Sequence, residues 1–205
     1  MKLPRSFYLR EDVIQVAKDL LGKYLFTRID GLLTGGIITE TEAYAGVEDR
    51  ASHAFGGRRT ARNEMMYAVG GTAYVYLCYG IHSLFNVVTN EKEIPHAILI
   101  RAIHPTHGID TMLRRRRMTE LRKNLSGGPG TVAEALGIRL DHSKSNLIGK
   151  EIWIEDKGIV VTNKDIALSK RIGCESAGEA ADYLYRFVFD ARKYASKPLR
   201  GYTII

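Results

Sequence analysis

The sequence lacks any long apolar run. No stretch approaches the roughly 20 apolar residues that a membrane-spanning helix needs, and the opening residues, MKLPRSFYLR, turn polar before a signal segment could form. We therefore expect no membrane association and a protein that works in the cytoplasm.

Cysteine is equally scarce. Cys78 and Cys174 are far apart and lack metal-ligand spacing, which disfavours a disulfide scaffold and favours a reducing compartment. HExxH, CxxC, GxSxG and Walker-type motifs are all missing, so we expect neither a metal nor a cofactor. Cys78 stands in an apolar run and is predicted to be a small buried hydrophobe.

Basic residues, by contrast, outnumber acidic ones by 30 to 23, and the formal net charge is +7. Such a surface favours polyanionic partners such as nucleic acid, although a merely solvated basic surface would have the same composition. Two basic segments stand out, GGRRTARNE at 56–64 and RRRR at 114–117, and both are candidates for phosphate contacts.

A chain of 205 residues is long enough for one sizeable core, and we expect a single domain over 1–205. Apolar periodicity and glycine signals predict helices and strands in mixed order without a βαβ rhythm. The predicted helices are 11–21, 109–123 and the segment after the 127–130 glycine turn, and the predicted strands are 23–29, 37–44, the hairpin within 71–88, 96–103, 151–156, 158–163 and 184–190. This order favours an α+β fold with a curved, mostly antiparallel sheet, surrounding helices and a protruding β-hairpin.

Two strands carry ionisable residues in unusual positions. Glu40 and Glu42 in ETEAY share one strand face with Tyr44, and the opposite interpretation is a row of solvent-facing polar residues. Arg101 interrupts the apolar strand ILIRAI, where a buried arginine needs an acidic partner or an anion. Glu40 or Glu42 is the predicted partner.

The predicted hairpin GTAYVYLCYGIHSLFNVV is rich in tyrosine. Tyr74 and Tyr76 share a strand face and fit a core, whereas Tyr79 stands at the turn, where a core residue is unexpected. A ring projecting beside a basic loop can enter a base stack. Asn86, on the return strand, would need hydrogen-bond partners if buried, and His53 lies in an irregular, glycine-rich segment.

These residues together resemble a known family. The stretch ETEAYAGVEDRASHAFGGRRTARNEMMYAVGGTAYVYLCYGIHSLFNVVT, followed by ILIRAIHP, LSGGPGTVAEALGI and RIGCESAGEAADYLYRF, is similar to the alkyladenine (3-methyladenine) DNA glycosylases. The resemblance implies a compact bacterial enzyme of base excision repair, with the fold of that family and of formyltransferase C-terminal domains. It also implies a monofunctional enzyme that hydrolyses the N-glycosidic bond of alkylated or deaminated purines in duplex DNA without metal or cofactor.

The resemblance implies a role for each matching position. Glu42 matches the general base and Arg101 the arginine that helps to hold the attacking water. Tyr44, His53 and Tyr76 match the residues that enclose the flipped base, and Asn86 matches the one that excludes the guanine amino group. Ile172 and Gly173 match the segment that supplies a backbone carbonyl to the water, and Tyr79 matches the ring that intercalates through the minor groove. The positions that match the DNA-facing rim are Arg58, Thr60, Arg62, Gly80, Ile81 and His82.

Two other functions share part of this pattern. A catalytically silent protein that recognises damaged or single-stranded nucleic acid would have the same basic surface and aromatic platform, without needing Glu42 beside Arg101. A hydrolase of RNA or nucleosides could use the same carboxylate. One-site chemistry on double-stranded DNA needs only a monomer, which is the expected state.

Overall fold

The computed structural model describes residues 1–190 and 203–204. The helices within them are α1 (Arg5–Tyr8), α2 (Val13–Asp19), α3 (Ile109–Arg115) and α4 (Pro129–Leu136). The strands are β1 (Tyr24–Ile29), β2 (Leu32–Ala45), β3 (Ala73–Cys78), β4 (His82–Thr89), β5 (His96–His107), β6 (Ile152–Glu155), β7 (Ile166–Ser169), β8 (Arg186–Phe189) and β9 (Thr203–Ile204).

All these strands join one curved antiparallel sheet, which confirms the predicted α+β class. The long strand β2 is its centre: β5 pairs along one edge, and β1 and β8 share the other. The hairpin β3–β4 continues the sheet beyond β5, and β7 and β9 continue it beyond β8. Leu, Ile and Val side chains fill the space between the sheet and α2, α3 and α4.

Register shifts bend the sheet where β2 meets β5. They fall beside Gly36 and on both sides of Glu40, and each extra residue in such a bulge increases local twist. A side chain at Gly36 would place its Cβ only 2.4 Å from the carbonyl oxygen of His104, so only glycine permits this approach. Beyond the bulges, Thr41 faces α2 and donates to the Ala17 carbonyl at 2.9 Å, while Glu40 and Glu42 face the other side.

The predicted hairpin protrudes as expected. Its turn is closed by a 3.0 Å hydrogen bond from the Ile81 amide to the Cys78 carbonyl, and both central residues have positive φ, 49° at Tyr79 and 71° at Gly80. Paired positive φ values match the twist of a two-stranded ribbon. A tyrosine is unusual there, because a side chain in this conformation is strained.

Several element boundaries differ from the sequence-based prediction. α2 is shorter than 11–21, because the Asp12 side chain caps its start by accepting from the Gln15 amide. The predicted helix 109–123 ends at Arg115, and Arg117 has a left-handed φ of 52° that stops it. The segment 158–163 was wrongly predicted as a strand, since Val160 is 81% exposed and makes no ladder. The short strand β7 was missed.

The basic run at 114–117 is partly structural. Arg115 donates to the Ala135 carbonyl at 3.2 Å, and Arg116 forms an ion pair with Glu134 at 2.5 Å, so both hold α3 against α4. The segment KPLRGYTII at 197–205, which the sequence indicates as a C-terminal tail, lies outside the described residues except for Thr203 and Ile204. Among the described helices, none has the length and apolarity to cross a bilayer.

Candidate active site

A cavity of about 760 Å³ opens between the hairpin and the loops that follow β2 and β7. The sequence-predicted base-binding residues all line it, namely Tyr44, His53, Tyr76, Asn86, Ile172 and Gly173. Arg101 lies at its floor, and Tyr79 and Gly80 lie at its rim. The fold thus brings together residues that are up to 130 positions apart in the chain, from Tyr44 to Cys174.

Glu42 lies directly beneath the cavity and is fully buried. Its Oε1 is 3.2 Å from Arg101 Nη1 and accepts the Ile172 amide at 2.8 Å, and its Oε2 accepts the Tyr44 hydroxyl at 2.9 Å. Burial, followed by the charge of Glu42, raises the pKa of Tyr44. The phenol therefore stays protonated and is the donor of the hydrogen bond to Glu42. The predicted solvent-facing alternative for the glutamates is therefore wrong.

Arg101 is 9% exposed and has two carboxylate partners, as the sequence predicted for a buried arginine. Its Nε donates to Glu40 Oε1 at 2.8 Å, and the same oxygen accepts Arg186 Nε at 2.6 Å. Burial opposes the charged form of Arg101, but the neighbouring charges of Glu42 and Glu40 outweigh it and raise its pKa. The guanidinium is consequently a fixed cation beside Glu42.

Three rings form one wall of the cavity. The rings of His53 and Tyr76 meet edge to face at 4.7 Å, and those of Tyr74 and Tyr76 lie 5.4 Å apart. Tyr74, which sequence reasoning assigned only to the core, bonds His53 Nδ1 through its hydroxyl at 2.9 Å. Burial, then the charges of Arg62 and Arg58, lowers the pKa of His53, so its ring is neutral at neutral pH.

Asn86 is held rigidly on the cavity floor. It is 2% exposed, and its Nδ2 donates to the backbone carbonyls of Tyr74 and Leu84 at 3.2 and 3.4 Å. The partners that a buried amide requires are therefore backbone groups of the same hairpin. An amide fixed in this way cannot turn aside for a bulkier ligand without losing both bonds.

The hairpin tip carries exposed apolar side chains at the mouth of the cavity. Tyr79 is 91% exposed and Ile81 is 74% exposed, so neither contributes to the core. His82 lies beside them, against the first turn of α4, where a Cβ added to Gly130 would meet its ring at 3.0 Å. An exposed pair of large apolar groups on a basic protein is typical of a binding surface.

The basic loop forms a second depression of about 320 Å³ next to the cavity, sharing His53 and Arg62 with it. Asn63, which sequence reasoning missed, organises this loop: its amide donates to the carbonyls of His53 and Arg58, and its oxygen accepts the Thr60 amide at 2.6 Å. Arg58, Thr60 and Arg62 remain exposed. Asn63 thus holds the backbone of Arg58 and Thr60, whereas the Arg62 guanidinium donates to the Leu77 carbonyl at 3.2 Å and lies over the Tyr76 ring.

An ion pair that sequence reasoning did not identify anchors the loop carrying Ile172. The Arg171 guanidinium is 0% exposed and bonds both oxygens of Asp49, which is 1% exposed, at 2.5 and 2.8 Å. It also donates to the Ala43 carbonyl and lies 4.8 Å from the centre of the Tyr44 ring. The pair therefore connects the loops on either side of Glu42, and its separation in sequence gave no local signal.

Both cysteines border the cavity. Cys78 is half-buried and lines it, so the prediction of a small buried hydrophobe is wrong, and Cys174 Sγ lies 3.8 Å from the Tyr44 hydroxyl. Burial, then the charge of Glu42, raises the pKa of Cys174, so its thiol stays protonated. Within the described residues, His, Cys, Asp and Glu side chains form no cluster that could hold a metal ion.

Known proteins are similar to this sequence over most of its length. A family model described as methylpurine-DNA glycosylase matches residues 6–193. A protein of Chlamydia felis named "Putative 3-methyladenine DNA glycosylase" is 47% identical over 192 residues, covering 93% of this chain and 97% of its own. Proteins of the same name from Clostridium perfringens and Bacillus cereus are 43% and 40% identical, each covering 96% of this chain and 100% of their own.

The buried pair Asp49–Arg171 predicts a large stability effect. Asp49→Asn leaves the Arg171 guanidinium without a charge partner in a site that water does not reach. We expect the free energy of unfolding to fall by about 3–5 kcal/mol, the usual result of breaking a buried pair from one side. Urea unfolding followed by circular dichroism measures this change.

The matched control is Asp182→Asn. Asp182 pairs with Lys170, the neighbour of Arg171, but both side chains are more than 60% exposed. An exposed pair contributes about 0–1 kcal/mol, so this variant should unfold within that margin of the parent protein. Equal losses from the two variants would contradict the assignment of Asp49–Arg171 as the anchor.

Proposed function

The chain belongs to the methylpurine-DNA glycosylase family, DNA-repair hydrolases that act on N-glycosyl bonds, and from this premise we propose how it selects and releases a base. It extrudes alkylated or deaminated purines, of the 3-methyladenine, hypoxanthine and ethenoadenine class, from duplex DNA. It then hydrolyses the N-glycosidic bond with water activated by Glu42 and leaves an abasic site. The observation that carries this proposal is the Glu42–Arg101 pair beneath an aromatic cavity whose mouth bears an exposed tyrosine.

Extrusion is required because the bond to be broken is out of reach inside a duplex, and it costs a few kcal/mol. Tyr79 fills the space that the base leaves and so offsets part of this cost. Its ring is exposed before DNA binds, and the hydrogen-bonded turn that carries it places it at the hairpin tip. Arg58, Thr60 and Arg62 are suited to contact the phosphates beside the extruded nucleotide, and Gly80, Ile81 and His82 to contact the groove.

Recognition of the purine depends on stacking against Tyr44, Tyr76 and His53. Stacking contributes about 1–3 kcal/mol per base and tolerates several purines. A neutral His53 adds no repulsion toward a cationic base such as 3-methyladenine. Asn86, fixed by two backbone carbonyls, disfavours the exocyclic amino group of guanine.

Hydrolysis uses Glu42 as the general base. Water oxygen bonds to the sugar C1′ as the N-glycosidic bond breaks, the bonding electrons leave with the purine, and Glu42 takes the water proton. The anionic carboxylate also stabilises positive charge that develops on the sugar. Because Tyr44 and the Ile172 peptide cover Glu42, one of them has to yield before water reaches it, and the purine that enters between them supplies the displacement.

The proposed reaction has no covalent enzyme–DNA step. No lysine lies among the described residues that line the cavity, so no amine is positioned to form a Schiff base with the sugar. The same cavity serves one nucleotide at a time, and a monomer on double-stranded DNA is sufficient. The product is accordingly an intact abasic strand.

Replacing Glu42 with glutamine tests the function itself. Glu42→Gln preserves the shape of the side chain and removes the carboxylate that acts as general base. The rate of purine release should therefore fall by about 10²- to 10⁴-fold, while affinity for damaged DNA persists. The assay incubates duplexes carrying hypoxanthine or ethenoadenine and scores alkali-sensitive abasic sites. Glu120→Gln, on the surface, is the control and should match the parent protein.

The results also separate the competing functions. A protein that binds the lesion but releases no base in any variant would be a binding module. Release from RNA or free nucleosides, rather than from duplex DNA, would make it a different hydrolase. Near-normal turnover by Glu42→Gln would remove Glu42 from the mechanism.

Tyr79→Ala tests whether the Tyr79 ring fills the space that the extruded base leaves. Loss of about 1–3 kcal/mol of stacking should lower the population of extruded base by about 5- to 150-fold, without changing the glycosidic step. Stopped-flow fluorescence of ethenoadenine measures extrusion, and the effect should shrink on single-stranded DNA. Val160→Ala, at another exposed apolar residue, is the control. Normal extrusion by Tyr79→Ala would show that the Tyr79 ring does not stabilise the extruded base.

Asn86→Ser tests exclusion of guanine. The shorter side chain makes room for the exocyclic amino group, so the rate on a methylated guanine should rise relative to the rate on hypoxanthine. Both rates are measured with the same variant under single-turnover conditions, so a general loss of activity cancels. An unchanged ratio would show that selectivity arises elsewhere in the cavity.

A further inference from the structure

A second carboxylate lies next to the proposed general base. Glu40 is 6% exposed, shares the strand face of Glu42, and does not line the cavity. Its Oε1 accepts two guanidinium hydrogen bonds, from Arg101 at 2.8 Å and from Arg186 at 2.6 Å. A carboxylate this deeply buried needs such partners, because burying an unpaired charge is costly. Glu40 is therefore not one of a row of solvent-facing polar residues.

The sheet topology creates this arrangement. β5 brings Arg101 to one edge of β2, and β8 brings Arg186 to the other, where its backbone pairs with that of Glu42. Two guanidiniums and two carboxylates therefore alternate across three neighbouring strands. The four charges sum to zero, which is the condition for keeping such a group in a buried site.

The hydrogen bonds divide the Arg101 guanidinium between the two acids. Glu40 accepts a hydrogen bond from Nε at 2.8 Å, and Nη1 forms an ion pair with Glu42 at 3.2 Å. A guanidinium prefers to bind one carboxylate with two parallel bonds, and such a fork would compete with a water proton for the Glu42 oxygens. Glu40 prevents this by holding the guanidinium from the side.

We propose that Glu40 is a positioning residue for base excision: it holds Arg101 in a shared orientation and leaves Glu42 able to accept a proton. This inference rests on the proposed function of Glu42. Glu40 touches neither the purine nor the water, and it acts only through Arg101. Arg186 donates a second hydrogen bond to the same Glu40 oxygen, which Arg101 also holds.

Glu40→Gln removes the charge and retains the size. Two guanidiniums then flank one carboxylate, and Arg101 turns toward Glu42. We expect the single-turnover rate of purine release to fall by about 10- to 100-fold, the scale expected when a catalytic group is displaced by about 1 Å. The enzyme concentration that gives half-maximal rate should change by less than about threefold, because DNA contacts are unaffected.

A compensating variant separates positioning from general structural damage. Arg186→Met alone leaves Glu40 on Arg101 and should retain the parental rate within about threefold. The double variant Glu40→Gln, Arg186→Met restores one guanidinium to one carboxylate. It still lacks the carboxylate that holds Arg101, so its rate of purine release should stay within about threefold of that of Glu40→Gln, while its stability toward urea should recover, since residues in one ion-pair network are not additive.

Three outcomes would overturn the inference: a parental rate for Glu40→Gln, a double variant as fast as Arg186→Met, or a loss confined to DNA affinity. If Glu40→Gln alone fails to fold, the double variant is compared with Arg186→Met, and equal rates overturn the inference. Glu134→Gln removes the partner of another arginine, Arg116, and serves as the control with a parental rate.

The failure of the proposed function would be recognised separately. If the parent protein releases no purine, or Glu42→Gln is fully active, the function of the site is wrong. If Glu42→Gln is inactive and Glu40→Gln is parental, only the role of Glu40 is wrong.

Discussion

The buried guanidinium of Arg101 is the group around which the site is organised. It extends from a strand whose other residues are apolar, in a position where an uncompensated charge would cost several kcal/mol. Glu40 and Glu42 on the neighbouring strand supply the compensation, and both can do so because alternation along β2 places them on the same face. Register shifts flank Glu40, and Gly36 permits the close approach of β2 to β5, so the same stretch of the sheet carries both the bend and the ionic contact.

Much of the fold could be predicted because its signals are local. Alternation in ETEAY and ILIRAI, the glycine turn of the hairpin and the proline and glycine that bound α4 each indicate an element within a few residues. Errors arose where local signals were weak or ambiguous. The apolar residues at 158–163 have strand propensity but no neighbouring strand, and the left-handed residue Arg117 ends a helix that the charge pattern did not limit.

The site could be predicted where its residues are of a type that is unfavourable at their position in a strand or turn. An arginine in an apolar strand, paired glutamates on one face and a tyrosine at a turn are all unfavourable unless they have partners or a role, and each one borders or underlies the cavity or its mouth. Residues that support these groups were missed. Asp49 and Arg171 are ordinary in composition, lie 122 positions apart and become notable only when the fold brings them together. Asn63 and Tyr74 act through single hydrogen bonds or small sets of them, which leave no periodic trace.

Tyr44 connects the two parts of the proposed mechanism. Its hydroxyl donates to Glu42, its ring lies against the Arg171 guanidinium, and it also forms part of the cavity wall. A purine that stacks on this ring therefore contacts the residue that covers the general base. Any movement of the ring on stacking changes the hydrogen bond to Glu42, while the Asp49–Arg171 pair limits how far the ring can move. In the proposed mechanism, recognition of the base and activation of water are consequently coupled through one side chain, and an ill-fitting base that fails to move Tyr44 would leave Glu42 covered.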